Sequence, residues 1–360
     1  MVTINEVMAE LKNIDQTFLI LFFIAIFSVH LTFSTFTYPY PNGRDAWFHI
    51  LVSRAYYRGE NGMVSPIVMK TNLVPYAPLY HLMLVPFVGS LKVALLAQQV
   101  FQCLFYPLTL LFFMLLTRKH EGFTTTMLFG MLLVGTYFGY GMAQARPQTL
   151  AMTLFPLAFW ACLEKKAISF VVLVTVMFYV YSPLALALVL GLLVFKLKQK
   201  LLNREVLAIA ILVAPLLFFQ CYHMLSGNIY NRWLRVGDTG ILTETQDFVL
   251  NPLFFLWTGL GVSMVGFGLI VKKFFNYRKL ADFDKLMVLS FLGFLVMAPI
   301  WYARVFQVVI VPLAFFTAKF VGGHNRYVKL FFVALIIWQT VVFSFWSFWM
   351  SPPPYLWKYW

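Results

Sequence analysis

Charge is what this sequence has least of. Only 11% of its 360 residues are Asp, Glu, Lys or Arg, against 61% that are hydrophobic, whereas soluble domains carry about 25% charged residues. That shortage excludes an ordinary water-soluble globule and implies an α-helical membrane protein that crosses the bilayer several times. Acid is scarcer than base, with 13 Asp and Glu against 27 Lys and Arg. The net charge of +14 does not call for nucleic acid, because the cytoplasmic loops of membrane proteins collect Lys and Arg. Cysteine is nearly lacking. Cys103, Cys162 and Cys221 all fall in apolar runs without metal-ligand spacing, so neither a disulfide framework nor a zinc site is indicated.

Long apolar runs are what the chain does have. Thr17 to Phe36 is the first, and it is long for a signal-peptide core with no small-residue cleavage site after it, so it is expected to be retained as a span. Asn72 to Ser90 is also apolar, but it carries Pro75, Pro78, Pro86 and His81. The distribution of basic residues decides its fate. If it lies in the outer leaflet without crossing, the later runs at 93–117, 123–142, 147–163, 167–182, 183–195, 206–225, 252–271, 286–302, 305–320 and 330–350 bring every basic cluster to one side. Those clusters are Arg118-Lys119, Lys165-Lys166, Lys196 to Arg204, Lys272 to Lys279 and Arg326-Lys329. The expectation is an all-α bundle of about eleven spans, forming a single transmembrane domain over 1–360. Its first outer loop, 37–92, holds juxtamembrane helices. The runs 167–182 and 183–195 are short and meet at Ser182-Pro183, where the pair is open to being broken or merged. With SPPPYLWKYW following the last run, no soluble carboxy-terminal domain is expected.

The first polar stretch after the first span, Tyr38 to Gly62, draws most attention. Pro41 and Asn42 are helix-start residues, and Trp47, Phe48, Tyr56 and Tyr57 give the aromatic, amphipathic character of a helix at a membrane surface. Asp45 and His49 are four apart, which places them on one helical face, with Glu60 further along. The proposed orientation gathers on the same outer face His81, Arg146 in AQARPQTL, Arg304 in YARVF, and the loop Ser226 to Leu250 with Arg232, Arg235, Asp238, Glu244 and Asp247. Each has a plainer role available. Asp45 is spaced from Asn42 as a capping pair, His49 and His81 suit hydrogen-bonded interface residues, and Arg146 and Arg304 can snorkel at tight turns.

An acid at the interface, arginines able to grip phosphate and an apolar bundle for a lipid tail suggest transfer from a lipid-phosphate donor. The carboxylate would take a proton from the acceptor or hold a divalent cation, while Arg neutralises the leaving phosphate. GRDAWFH, VPYAPLYHLMLVPF, ARPQTLAMTLFPLA and YARVFQVVIVPLAFFTA, in this order behind an apolar first span, resemble the GT-C superfamily of integral-membrane glycosyltransferases, which includes protein O-mannosyltransferases and aminoarabinose transferases. The resemblance implies a catalytic acid in the first outer loop, matched by Asp45, and a polyprenyl-phosphate-linked sugar donor. Arg304 matches a basic residue near the donor phosphate and Arg146 a polar position in the second outer loop, and both are candidates for binding the donor phosphate. His49, Glu60 and His81 are secondary candidates for contact with an acceptor or a metal. The enzyme would work on the non-cytoplasmic side of a prokaryotic plasma membrane or of the endoplasmic reticulum. The oligosaccharyltransferases of this superfamily carry a DxD-like motif in the second outer loop and a WWD-type motif, both missing here, which argues against N-glycan transfer to protein. The competing classes are a lipid or solute transporter or flippase, and a catalytically silent subunit of a complex.

Overall fold

The computed structural model describes residues 15–37, 45–64, 77–136, 139, 142, 146–199, 203–225, 261–297 and 302–349. Among them the chain is helical with no strand. In order, the helices are α1 (Gln16–Phe36), α2 (Asp45–Tyr57), α3 (Leu79–Leu84), α4 (Leu91–His120), α5 (Phe123–Val134) and α6 (Pro147–Leu163). They continue as α7 (Ala167–Gln199), α8 (Arg204–Leu225), α9 (Val265–Phe275), α10 (Asp282–Met297), α11 (Tyr302–Gly323) and α12 (Arg326–Trp349). Three helices are long and apolar enough to cross a membrane, Gln16–Phe36, Leu91–His120 and Arg204–His223, and four shorter apolar helices accompany them. On α1 the stripe Phe18, Phe22, Ile26, Val29 and Phe33 stays exposed while Ile20, Ile24, Phe27 and Leu31 are buried. An uncovered apolar stripe of this length suits hydrocarbon, not water.

Helices in lipid gain nothing from hiding apolar surface, so they associate through close packing and interhelical hydrogen bonds. The centre of this bundle is aromatic. Phe113 of α4 meets Phe129 of α5 edge-on at 5.9 Å and Phe155 of α6 at 6.0 Å. Phe283 of α10 meets Phe159 at 5.4 Å and Phe315 of α11 at 5.0 Å. Where backbones touch, glycine makes room, since a Cβ on Gly191 of α7 would meet the Ser290 nitrogen of α10 at 2.5 Å. Amides do the rest. Gln339 of α12 donates to the Gly135 carbonyl at 2.6 Å and accepts from the Val262 amide at 2.9 Å, tying three distant segments together.

Two contacts fix how the first helices run. Arg118 donates to the Gln16 side chain at 2.5 Å, and 3.0 Å separates the Gln99 amide nitrogen from the Thr35 carbonyl. The start of α1 therefore lies beside the end of α4, and the two helices are antiparallel. The chain between them spends its described length on short elements: α3 has 6 residues, about 9 Å of rise, and Pro86 sits in a 3-10 turn right after it.

The expected junction between 167–182 and 183–195 is also resolved. Tyr181 leaves helical geometry at φ −161°, ψ 84°, and Lys196 Nζ sits 5.3 Å from the centre of the Phe170 ring. A straight helix would hold those residues roughly 39 Å apart at 1.5 Å per residue, so α7 is a hairpin of two arms. α5 ends at Val134, where the Gly135 amide closes the last turn on Met131, and within the expected run to 142 Gly139 and Met142 are also helical. Of the run expected at 252–271, the described part begins at Gly261 and reaches Phe275 as a 3-10 turn followed by α9.

One end of the bundle is cross-linked by ion pairs. Lys119 reaches Glu164 at 2.5 Å, and Lys196, itself buried, reaches Glu205 at 2.8 Å. Lys319 bonds Glu121 and holds both Asp284 oxygens at 2.9 and 3.1 Å, with Lys273 3.4 Å from the same carboxylate. The His120 ring stacks on Phe283 at 4.6 Å. The start of α1, the end of α4, the α6–α7 and α7–α8 turns, the end of α9, the start of α10 and the end of α11 thus all meet at this end. The basic clusters expected to share a side do share one here, as far as they are described.

Candidate functional site

Those residues singled out from the sequence that are described lie toward the opposite end. Asp45 is the first residue of α2 and is described by its backbone alone. α2 is held in place from below, because Gln98 of α4 donates to the Ala46 carbonyl at 2.9 Å. Ala46, His49, Ile50 and Ser53, at the i, i+3, i+4, i+7 period, are buried together with Val52 and Ala55, while Leu51 and Tyr57 are exposed. The helix ends at a glycine: Gly59 takes φ 79°, and the amide of Glu60 reaches back to the Ala55 carbonyl at 3.0 Å, a Schellman closure that needs a residue tolerant of positive φ.

His49, one turn after Asp45, is buried, as is His81 on α3. His49 Nδ1 and His81 Nε2 are 3.0 Å apart, and His81 Nδ1 is 3.3 Å from the Ala77 carbonyl. Tyr80 stands edge-on to both rings, at 5.5 Å from His49 and 5.8 Å from His81. Burial pushes the His81 imidazole down to about 4, partly opposed by the bond to Ala77, so it is neutral at pH 7. The same burial raises the Tyr80 hydroxyl and keeps it protonated. The spacing in the sequence brings Asp45 and His49 to one face, and the fold adds His81 from a segment 32 residues away.

Arg146 is half-buried and stands immediately before α6 in extended conformation, φ −137°, ψ 155°. α6 has 17 residues, so Arg146 is about 26 Å from the cross-linked end. Arg304 is the third residue of α11, described by its backbone alone, and 15 residues of helix set it roughly 22 Å from Lys319. Glu60 is exposed past the far end of the 13-residue α2, about 20 Å along the helix from Asp45, so the structure does not join it to the histidine pair. Asp238, Glu244, Asp247, Arg232 and Arg235, with Pro41 and Asn42, lie outside the described residues. Among the described residues no group of three His, Cys, Asp or Glu could hold a metal ion.

Sequence reasoning passed over the glutamines of α4. Gln98 anchors α2, while Gln99 and Gln102 bond the Thr35 carbonyl and hydroxyl at the end of α1. A signal was available, since AQQVFQ is a cluster of amides inside an otherwise apolar span, where unsatisfied polar groups are costly. No protein-family model matches this chain, and no curated protein matches it.

Proposed function

We propose that this chain is a membrane glycosyltransferase that moves a sugar from a polyprenyl-phosphate-linked donor to an acceptor at the non-cytoplasmic face, within a bundle of about eleven spans. The observation that carries the reading is segregation. The Asp45 helix, the histidine pair, Arg146 and the Arg304 backbone gather at one end, and the ion-paired basic helix ends gather at the other. Lys- and Arg-rich ends belong in the cytoplasm, which supports an orientation with the candidate acid and both arginines outside, at the level of lipid phosphates. In this reading Asp45 deprotonates the acceptor or holds a divalent cation, and Arg304 and Arg146 stabilise the departing phosphate. Among the described residues, every Asp, Glu, Lys and Arg lies within about a turn of a helix end or in a connection. A transporter ordinarily keeps such groups near the bilayer midplane, so transport is less well supported.

Orientation is tested first. With Cys103, Cys162 and Cys221 replaced, a membrane-impermeant thiol reagent added to intact cells should label Arg304→Cys and miss Lys165→Cys. The inverse pattern overturns the assignment of sides and the site with it. Donor recognition is tested at Arg304. The guanidinium grips phosphate through a planar fork that an ammonium does not reproduce, so Arg304→Lys should weaken donor binding by about 10-fold, although the charge is kept. Unchanged donor affinity in a folded Arg304→Ala variant leaves Arg304 as an interfacial anchor only.

A further inference from the structure

We propose that the corner where the ends of α7 and α9 meet the start of α8 binds an anionic phospholipid of the leaflet at the cross-linked end. Its cations hold the phosphate, and its exposed apolar side chains lie along the acyl chains. The inference rests on the chain lying in a bilayer and not on the transferase reading. Three contacts build the corner. Lys198 Nζ stands 4.2 Å from the centre of the Tyr277 ring, which joins the end of α7 to the 3-10 turn Tyr277–Lys279 after α9. The Lys196–Glu205 pair at 2.8 Å ties the same arm of α7 to the first turn of α8. The Asn276 side chain donates to the Lys272 carbonyl at 3.2 Å and holds the turn against the end of α9. Lys198, Arg204, Lys272, Arg278 and Lys279 are thereby brought to one corner, and all five are exposed.

The acids described at this end are already engaged. Glu121, Glu164, Glu205, Asp282 and Asp284 each hold a lysine, and Asp15 accepts from the Thr17 amide. Among the described residues, none of the five corner cations makes an ion pair. Helix dipoles account for Lys198 and Lys272, each in a last turn. They do not account for Arg204, the first residue of α8, where a cation is disfavoured. Arg278 and Lys279 lie beyond the last turn of α9, where the dipole has faded. Clustered like charges repel, and a phosphate between them relieves the repulsion. Basic pockets between membrane helices recognise anionic headgroups in this way.

Apolar surface at the same corner says which anion. Phe267, Phe274 and Phe275 of α9 are exposed, Phe275 by 81%, as are Leu207 and Ile211, one and two turns into α8 from Arg204. An acidic protein or a nucleic acid would cover the cations and leave these side chains bare. A phospholipid covers both, since its phosphate lies at the depth of the helix ends and its chains run beside the helices.

Native mass spectrometry of the purified protein in detergent, with phosphatidylglycerol and phosphatidylcholine of matched chains added, is the test. Phosphatidylglycerol should bind about 5-fold more tightly or better. Lys198→Gln, Arg278→Gln and Lys279→Gln together should weaken it by about 10-fold or more. Lys165→Gln, Lys166→Gln and Arg326→Gln remove the same charge at the same end and should cost less than about 2-fold, because they lie outside the corner. Equal affinity for the two lipids, or equal loss in the two triple variants, overturns the site. Glycerophosphoglycerol, the headgroup without chains, should not displace the lipid at equal concentration, and neither should polyglutamate. Displacement by either would make a soluble anion the ligand and overturn the lipid. The lipid preference and the competition are read on wild-type protein, so they decide the matter even if a triple variant does not fold.

Discussion

Asp45→Asn should reduce sugar transfer by about 10² or more, the usual cost of losing a positioned acid or base, while the melting temperature stays where it is. The two outcomes are coupled by the residue's place in the chain. Asp45 opens α2, where a short polar side chain and negative charge favour the helix start in any case. Asn serves a helix start about as well as Asp, so the substitution leaves the local structure while removing the charge and the proton-accepting oxygen. A residue that only starts its helix would give the reverse pair, at most about 1 kcal/mol of stability lost and transfer intact. Measuring transfer from a radiolabelled lipid donor beside a melting curve separates the two. Full activity in the variant would overturn the catalytic assignment of Asp45.

Lys319→Met should destabilise the fold by roughly 2–4 kcal/mol without touching the candidate site. Its ammonium holds Glu121 and both oxygens of Asp284, and the two carboxylates are only 16% and 5% exposed. Removing one partner of a buried pair costs about 3–5 kcal/mol because the other charge is stranded. Lys319 is itself a third exposed, which lowers the expected loss. The penalty is one of uncompensated charge and falls on Glu121, because Asp284 keeps Lys273, so adding Glu121→Gln should return most of it, and the pair should be strongly non-additive. Thermal unfolding in detergent of the two single variants and the double variant checks this. Additive losses would mean that the cluster does not act as a unit.

The helical class, the grouping of basic clusters and the placing of Asp45 and His49 one turn apart on α2 were legible because each depends on local pattern: apolar run length, charge bias and a spacing of four. The α7 reversal was half legible. Ser182-Pro183 marks a junction, but whether two short runs form one helix or a hairpin depends on what Phe170 and Lys196 find across the fold. The His49–His81 contact was not legible, because 32 residues and a proline-rich segment separate the rings. The role of the glutamines was obscured by hydrophobic neighbours, although amides in an apolar span are themselves a sign of interhelical bonding. Glu60 read as a neighbour of Asp45 through sequence proximity alone, and the full length of α2 puts it out of reach.

The helix that begins after Arg146 is short: α6 has 17 residues, about 26 Å of rise. Bilayer hydrocarbon is about 30 Å thick. In the orientation proposed above, α6 is anchored at the cytoplasmic end by its charged neighbours, so its deficit falls at the outer end, beside Arg146. Hydrophobic mismatch of this kind is met by local thinning of the bilayer. The outer headgroups would dip toward the bundle there, and a long-chain phosphate diffusing in that leaflet would be lowered to the depth of the arginine before any protein contact is made.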